Sequence, residues 1–129
     1  MNQINATSKS RHVLVVIEDD SAVRESLKFS LGIEGFEVHA YASPDEFLND
    51  IKRPAFDCLI VDYHLPGTNG LDVLEKLGEK GKAAQAILLT GNPSSNIRRR
   101  ASSAGVTLIE KSSGTMELIN GVRRIIGDP

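Results

Sequence analysis

The feature that most constrains this chain is an alternation. Continuous apolar runs of strand length recur at residues 13–17, 56–61, 86–89 and 106–109, with a weaker, alternating candidate at 37–41. Unbroken runs of this kind are expected of strands covered on both faces, because neither side of the pleat meets water. Helical stripes lie between them: Val23, Leu27 and Leu31; Leu71, Leu74 and Leu77; Leu118, Val122, Ile125 and Ile126. Ser43-Pro44-Asp45-Glu46 reads as a helix start, with Ser as N-cap, Pro at the first helical position and Glu completing a capping box. Phe47, Leu48 and Ile51 are the expected apolar face of that helix, while the weakest helix, 93–104, has only Ile97, Ala101 and Ala104 to bury. Strand followed by helix, five times over, predicts an α/β fold: a doubly wound parallel sheet with helices on both faces.

Sheets of this kind bind ligands beyond the carboxyl ends of their strands. Those ends are unusual here. The first run finishes in Glu18-Asp19-Asp20, the third in Asp62, the fourth in Thr90 and the fifth in Lys111. Two carboxylates about 4 Å apart repel by roughly 4 kcal/mol at an effective dielectric near 20. Glu18, Asp19 and Asp62 at one sheet edge therefore call for a cation, and hard oxygen donors suit Mg²⁺. Acids, a hard cation, a lysine and a hydroxyl together describe a site for a transferring phosphoryl group. A carboxylate can itself be the nucleophile and carry the phosphoryl group as an acyl phosphate.

Size and composition exclude other classes. The 129 residues suffice for one domain, and a formal net charge of -2 argues against direct nucleic-acid binding. Arg98-Arg99-Arg100 does not change that, since successive helical residues point in different directions. No apolar stretch nears the ~20 residues of a membrane span, so no membrane role is expected and the protein is read as cytoplasmic. Cys58 is the sole cysteine and sits in an apolar run, the setting of an inert buried thiol. His12 and His39 read as surface histidines. Residues 1–10 are polar, with no secretory signal, and are expected to fray.

The stretches Val15-Val16-Ile17-Glu18-Asp19-Asp20, Val61-Asp62-Tyr63-His64-Leu65-Pro66 with Gly70, Leu88-Leu89-Thr90-Gly91 and Ile109-Glu110-Lys111 resemble, in order and separation, the receiver domain of bacterial two-component response regulators. The resemblance covers nearly the whole chain and assigns residues 11–127 to a FixJ-like receiver. It implies a flavodoxin-like (βα)5 fold with five parallel strands in the order 2-1-3-4-5. It implies that Asp62 accepts phosphate from a sensor histidine kinase or histidine phosphotransfer protein. Glu18 and Asp19 would hold Mg²⁺ together with Asp62 and the backbone carbonyl of His64, leaving Asp20 as a helix N-cap. Thr90 and Lys111 would bind the phosphoryl group and report it. The domain would then be a signalling switch with its own autodephosphorylation, not a metabolic enzyme.

Two positions depart from the family pattern. Leu108 stands where the family's switch aromatic belongs, three residues before the lysine, and Ser112 replaces the proline after it. A cis bond without proline costs about 2.5–4 kcal/mol, so a trans Lys111–Ser112 bond, or a cis bond held under strain, is expected. The His64 side chain lies where it would tune autodephosphorylation. A stand-alone receiver acting on an output partner is the leading expectation, the receiver half of a FixJ-like DNA-binding regulator the alternative, and a homodimer remains open. An aspartyl-nucleophile phosphatase would have a second Asp where His64 stands. A flavin module of the same fold would need a phosphate loop where this chain has acids.

Overall fold

The computed structural model describes residues 11–78 and 85–127. The expected N-terminal tail and the side chain of Leu77 lie outside the described residues. The elements run β1 (Val13–Ile17), α1 (Ser21–Ile33), β2 (Glu37–Tyr41), α2 (Pro44–Asn49), β3 (Cys58–Asp62), β4 (His64–Leu65), β5 (Thr68–Asn69), α3 (Gly70–Gly78), β6 (Ala86–Thr90), α4 (Ser95–Ala104), β7 (Thr107–Glu110) and α5 (Thr115–Ile126). The main sheet has the order β2-β1-β3-β6-β7, all pairs parallel. With the small β4–β5 hairpin set aside, this is the predicted 2-1-3-4-5 order and the predicted flavodoxin-like fold.

The pleat sends alternate residues to opposite faces. Val15, Ile17, Leu59, Val61 and Leu88 meet α2, α3 and α4 through Phe47, Leu71, Leu74 and Ala101. Leu14, Val16, Cys58, Ile60, Ile87 and Leu89 meet α1 and α5 through Leu31, Leu118, Ile119 and Val122. Both faces are dry, which is why the strand runs are apolar without interruption. Burial pushes the Cys58 thiol up to about 12 and makes it the inert side chain expected.

Several elements differ from their sequence expectations. The third strand starts at Cys58 rather than Phe56, because the Asp57 carboxylate turns to accept the Val13 N–H at 2.7 Å. The helix after Ser43 stops at Asn49 and buries only Phe47, leaving Leu48 and Ile51 54% and 94% exposed. Its stop has a cause: Asp50 accepts both the Tyr41 hydroxyl at 2.7 Å and the Lys52 N–H at 2.9 Å, drawing the chain out of the helix. The capping box forms with a shift, Ser43 Oγ accepting the Glu46 N–H while Glu46 reaches the N–H of Ala42. Helix α4 begins at Ser95, with Ser94 as its cap. The histidines have carboxylate neighbours, Asp57 for His12 at 3.5 Å and Glu37 for His39 at 2.7 Å. The arginine run diverges as predicted: Arg98 meets Glu110 of β7, while Arg100 meets Asp72 and Glu75 of α3.

Candidate functional site

The register of the sheet decides which polar groups meet. Ile17 pairs with Val61, so Glu18 and Asp62 are the next residues on neighbouring strands. Asp62 pairs with Leu89, which sets Thr90 one step further along β6, and Thr90 pairs with Glu110, which sets Lys111 one step beyond β7. Four strands thus deliver Glu18, Asp62, Thr90 and Lys111 to one edge, as their positions in the sequence predict. Glu18, Asp62 and Thr90 are almost fully buried, at 1%, 3% and 2% exposure, while Asp19 is open to solvent.

The carboxylates of Glu18, Asp19 and Asp62 offer oxygens that all lie within 4.8 Å of one another. At that separation each pair of charges repels by roughly 3 kcal/mol at an effective dielectric near 20. Lys111 is the available countercharge, its Nζ 3.0 Å from Asp62 Oδ1 and 3.6 Å from Glu18 Oε1. Neither oxygen receives a well-directed hydrogen bond, so these contacts are ion pairs only. Burial pushes the Glu18 carboxyl above its ordinary value, and the neighbouring Asp62 charge adds to the push against the Asp20 N–H and Lys111. For Lys111 burial is the largest influence and opposes its charge, yet Asp62 and Glu18 together outweigh it and hold the ammonium above its ordinary value.

Two buried carboxylate oxygens without hydrogen-bond donors, in an all-oxygen set open on the Asp19 side, fit a hard divalent cation. Asp20 stands apart from this set and caps α1, its Oδ1 accepting the Val23 N–H at 3.0 Å. His64 belongs to the β4–β5 hairpin, its exposed ring set edge-on to Tyr63 with centroids 5.1 Å apart. Leu108 is half-buried against the core beneath α4. Ser112 is exposed in a 3-10 turn over Lys111–Ser113, and no peptide bond among the described residues is cis, which gives the trans Lys111–Ser112 bond.

Residues 14–123 match the sequence profile of the response regulator receiver domain. The chain belongs to that family. Related proteins include the response regulator protein TodT of Pseudomonas putida, 34% identical over 112 residues that make up 86% of this chain and 49% of that protein. The transcriptional regulatory protein FixJ of Azorhizobium caulinodans is 33% identical over 113 residues, 87% of this chain and 54% of that protein. This receiver spans about half the length of the curated relatives it matches. Among solved structures, a CheY-like receiver domain protein from Methanospirillum hungatei superposes with a TM-score of 0.82 at 27% identity, over 92% of this chain and 96% of that one.

Two contacts at this receiver's acid edge come from residues to which the sequence reading gave no role. Arg24 donates from Nη1 to the carbonyls of Glu18 and Asp19, and Gly70 packs directly on the backbone of Asp62. The glycine had a signal in its motif position. The arginine had none, since a helical Arg near acids reads equally well as a solvated side chain.

Proposed function

We propose that this receiver is a phosphorylation switch in which Asp62 is the phosphoacceptor. The observation that carries the reading is the buried Asp62 carboxylate with Lys111 Nζ at 3.0 Å and two further acids within 4.8 Å. An Asp62 oxygen attacks the phosphorus of a phosphohistidine on a sensor kinase or phosphotransfer protein. The phosphorus–oxygen bond forms as the phosphorus–nitrogen bond breaks, its electron pair returning to the imidazole, which takes a proton from solvent. Glu18, Asp19, Asp62 and the His64 backbone carbonyl would hold Mg²⁺. When bound, that ion supplies positive charge against the carboxylates and the phosphoryl oxygens. Lys111 then pairs with the phosphoryl group, and the Thr90 hydroxyl donates to one of its oxygens. Their movement biases the equilibrium between two conformations of differing affinity for an output partner. The His64 side chain tunes the return hydrolysis. The role is that of a signalling switch in the cytoplasm, and no described helix is long and apolar enough to cross a membrane.

The reading is tested by Mg²⁺-dependent labelling with a small phosphodonor such as acetyl phosphate. Wild type takes up one phosphoryl group and Asp62→Asn takes up none. Undiminished labelling of Asp62→Asn refutes the assignment. A second reading concerns output: the 33% identity to a transcriptional regulatory protein, of which the matched residues make up only 54%, supports a receiver that governs an attached DNA-binding domain. Sequencing the reading frame beyond codon 129 decides it, since a stop codon there leaves a receiver that acts on a separate partner.

A further inference from the structure

Parallel pairing of β1 ends with Ile17, so the next two carbonyls, of Glu18 and Asp19, lie past the ladder. They also precede the helix, whose first backbone bond is taken by Asp20 O from the Arg24 N–H at 2.9 Å. Carbonyls stranded between a strand and a helix need a donor from elsewhere. Arg24 supplies it. Its position in the first turn of α1, where side chains lean toward the N-terminus, carries the guanidinium back over the loop. Nη1 donates to Glu18 O at 2.9 Å and reaches Asp19 O at 3.3 Å. The two bridged residues are the ones whose side chains face the acid cluster. The Asp20 N–H to Glu18 Oε2 bond of 3.1 Å closes the loop on the other side.

We infer that Arg24 is a positioning residue for the divalent cation, holding the Glu18 and Asp19 carboxylates at the spacing the ion needs. The inference rests on the cation reading of the acid cluster and adds a residue that touches none of the cation's ligand atoms. Two opposed effects give it a sharp sign. A guanidinium bonded to the backbone of two of the acids repels an incoming cation, so removing its charge would tighten Mg²⁺ binding if charge were all that mattered. Removing a brace lets the loop open and makes the ion assemble its own site, which weakens binding. The paired hydrogen bonds favour the second outcome.

The test is a calorimetric titration of the metal-free protein with MgCl₂, for wild type, Arg24→Met and Arg24→Lys, each first shown to be folded by circular dichroism. Arg24→Met is expected to bind Mg²⁺ about tenfold more weakly although it has lost a positive charge. Arg24→Lys keeps the charge, but its side chain is one atom shorter and its nitrogen falls short of the place of Nη1 on the two carbonyls, so it falls between the two. Arg24→Met binding as tightly as wild type, or more tightly, overturns the inference while leaving the cation site standing. Wild type binding no Mg²⁺ at millimolar concentration overturns the cation reading and the inference with it. If Arg24→Met does not fold, Arg24→Lys decides alone, and a wild-type affinity for it overturns the brace.

Discussion

Gly70 couples the fold to the chemistry of Asp62. A Cβ added there would sit 2.3 Å from the Asp62 carbonyl oxygen, 3.0 Å from its carbonyl carbon and 2.9 Å from Val61 Cγ1. Two of these three neighbours are backbone atoms of the buried strand, and the Gly70 N–H is tied to Tyr63 O at 2.8 Å. No side-chain rotation relieves such a clash, so in Gly70→Ala either the start of α3 lifts or Asp62 moves. Overpacking of this kind costs about 1–3 kcal/mol. For a domain of this size that lowers the melting temperature by roughly 3–15 °C. The shift of Asp62 also disturbs its 3.0 Å contact with Lys111, so labelling by acetyl phosphate is expected to slow at least tenfold. Gly67→Ala is the control. Gly67 has φ +74 with nothing within 4 Å of a new Cβ, so its substitution costs about 1–2 kcal/mol of backbone strain without touching Asp62. The expected result is destabilisation by both variants and slow labelling by Gly70→Ala alone. A Gly70→Ala protein that melts within 1 °C of wild type and is labelled at the wild-type rate would refute the geometric argument.

Lys111→Met leaves Glu18 and Asp62 without their countercharge and should destabilise the fold by about 1–3 kcal/mol at pH 7, less than a fully buried pair because Lys111 is partly exposed. Since the Glu18 carboxyl titrates above its ordinary value, urea unfolding should show a smaller loss at pH 5 than at pH 7; an equal loss at both would separate the effect from charge. Cys58 gives an alkaline prediction: its folded pKa is raised to about 12, so the stability it contributes is whole below the unfolded thiol pKa and is lost as pH rises from about 9 through 12. At roughly 1.4 kcal/mol per unit, wild type should lose about 2 kcal/mol more than Cys58→Ala between pH 8 and 10.5, and parallel losses would show that the thiol is not the group responsible.

The legible and illegible parts of this molecule divide by range. Strands β1, β3 and β6 could be read because both faces are covered, and their polar ends were visible where the apolar runs broke at Glu18, Asp62 and Thr90. Burial at the sheet edge follows from strand register, and with both faces apolar the register is marked by where the runs stop, since a slip would draw Glu18 or Asp62 in among the apolar strands. What failed was the extent of α2, since Leu48 and Ile51 fall at helical spacing while Asp50 is diverted to the hydroxyl of Tyr41, nine residues earlier at the end of β2. The β4–β5 hairpin has two residues per strand, too few for any period to register. Arg24 and its two carbonyls were invisible for a similar reason: the bond depends on where the sheet ladder ends, and composition carries no trace of that.

The same range argument explains why the acid cluster is a poor place for a stable fold. Local preferences elsewhere agree with the tertiary structure, as in the Asp20 cap of α1 and the Ser94 cap of α4. At the edge of the sheet they conflict. Glu18 and Asp62 are buried with oxygens that no hydrogen bond satisfies, Glu18 is pushed toward protonation, and a partly exposed lysine is the only described cation in ion-pair contact with either of them. Repulsions of roughly 3 kcal/mol per carboxylate pair are comparable with the gap between two conformations of one domain. A ligand or modification that changes the charge at this edge therefore acts on a term large enough to move such an equilibrium. Thr90 ends β6 opposite Glu110 and Lys111 follows directly on β7, so both stand at this edge, while Leu108 is half-buried against the core two residues before the end of the same strand.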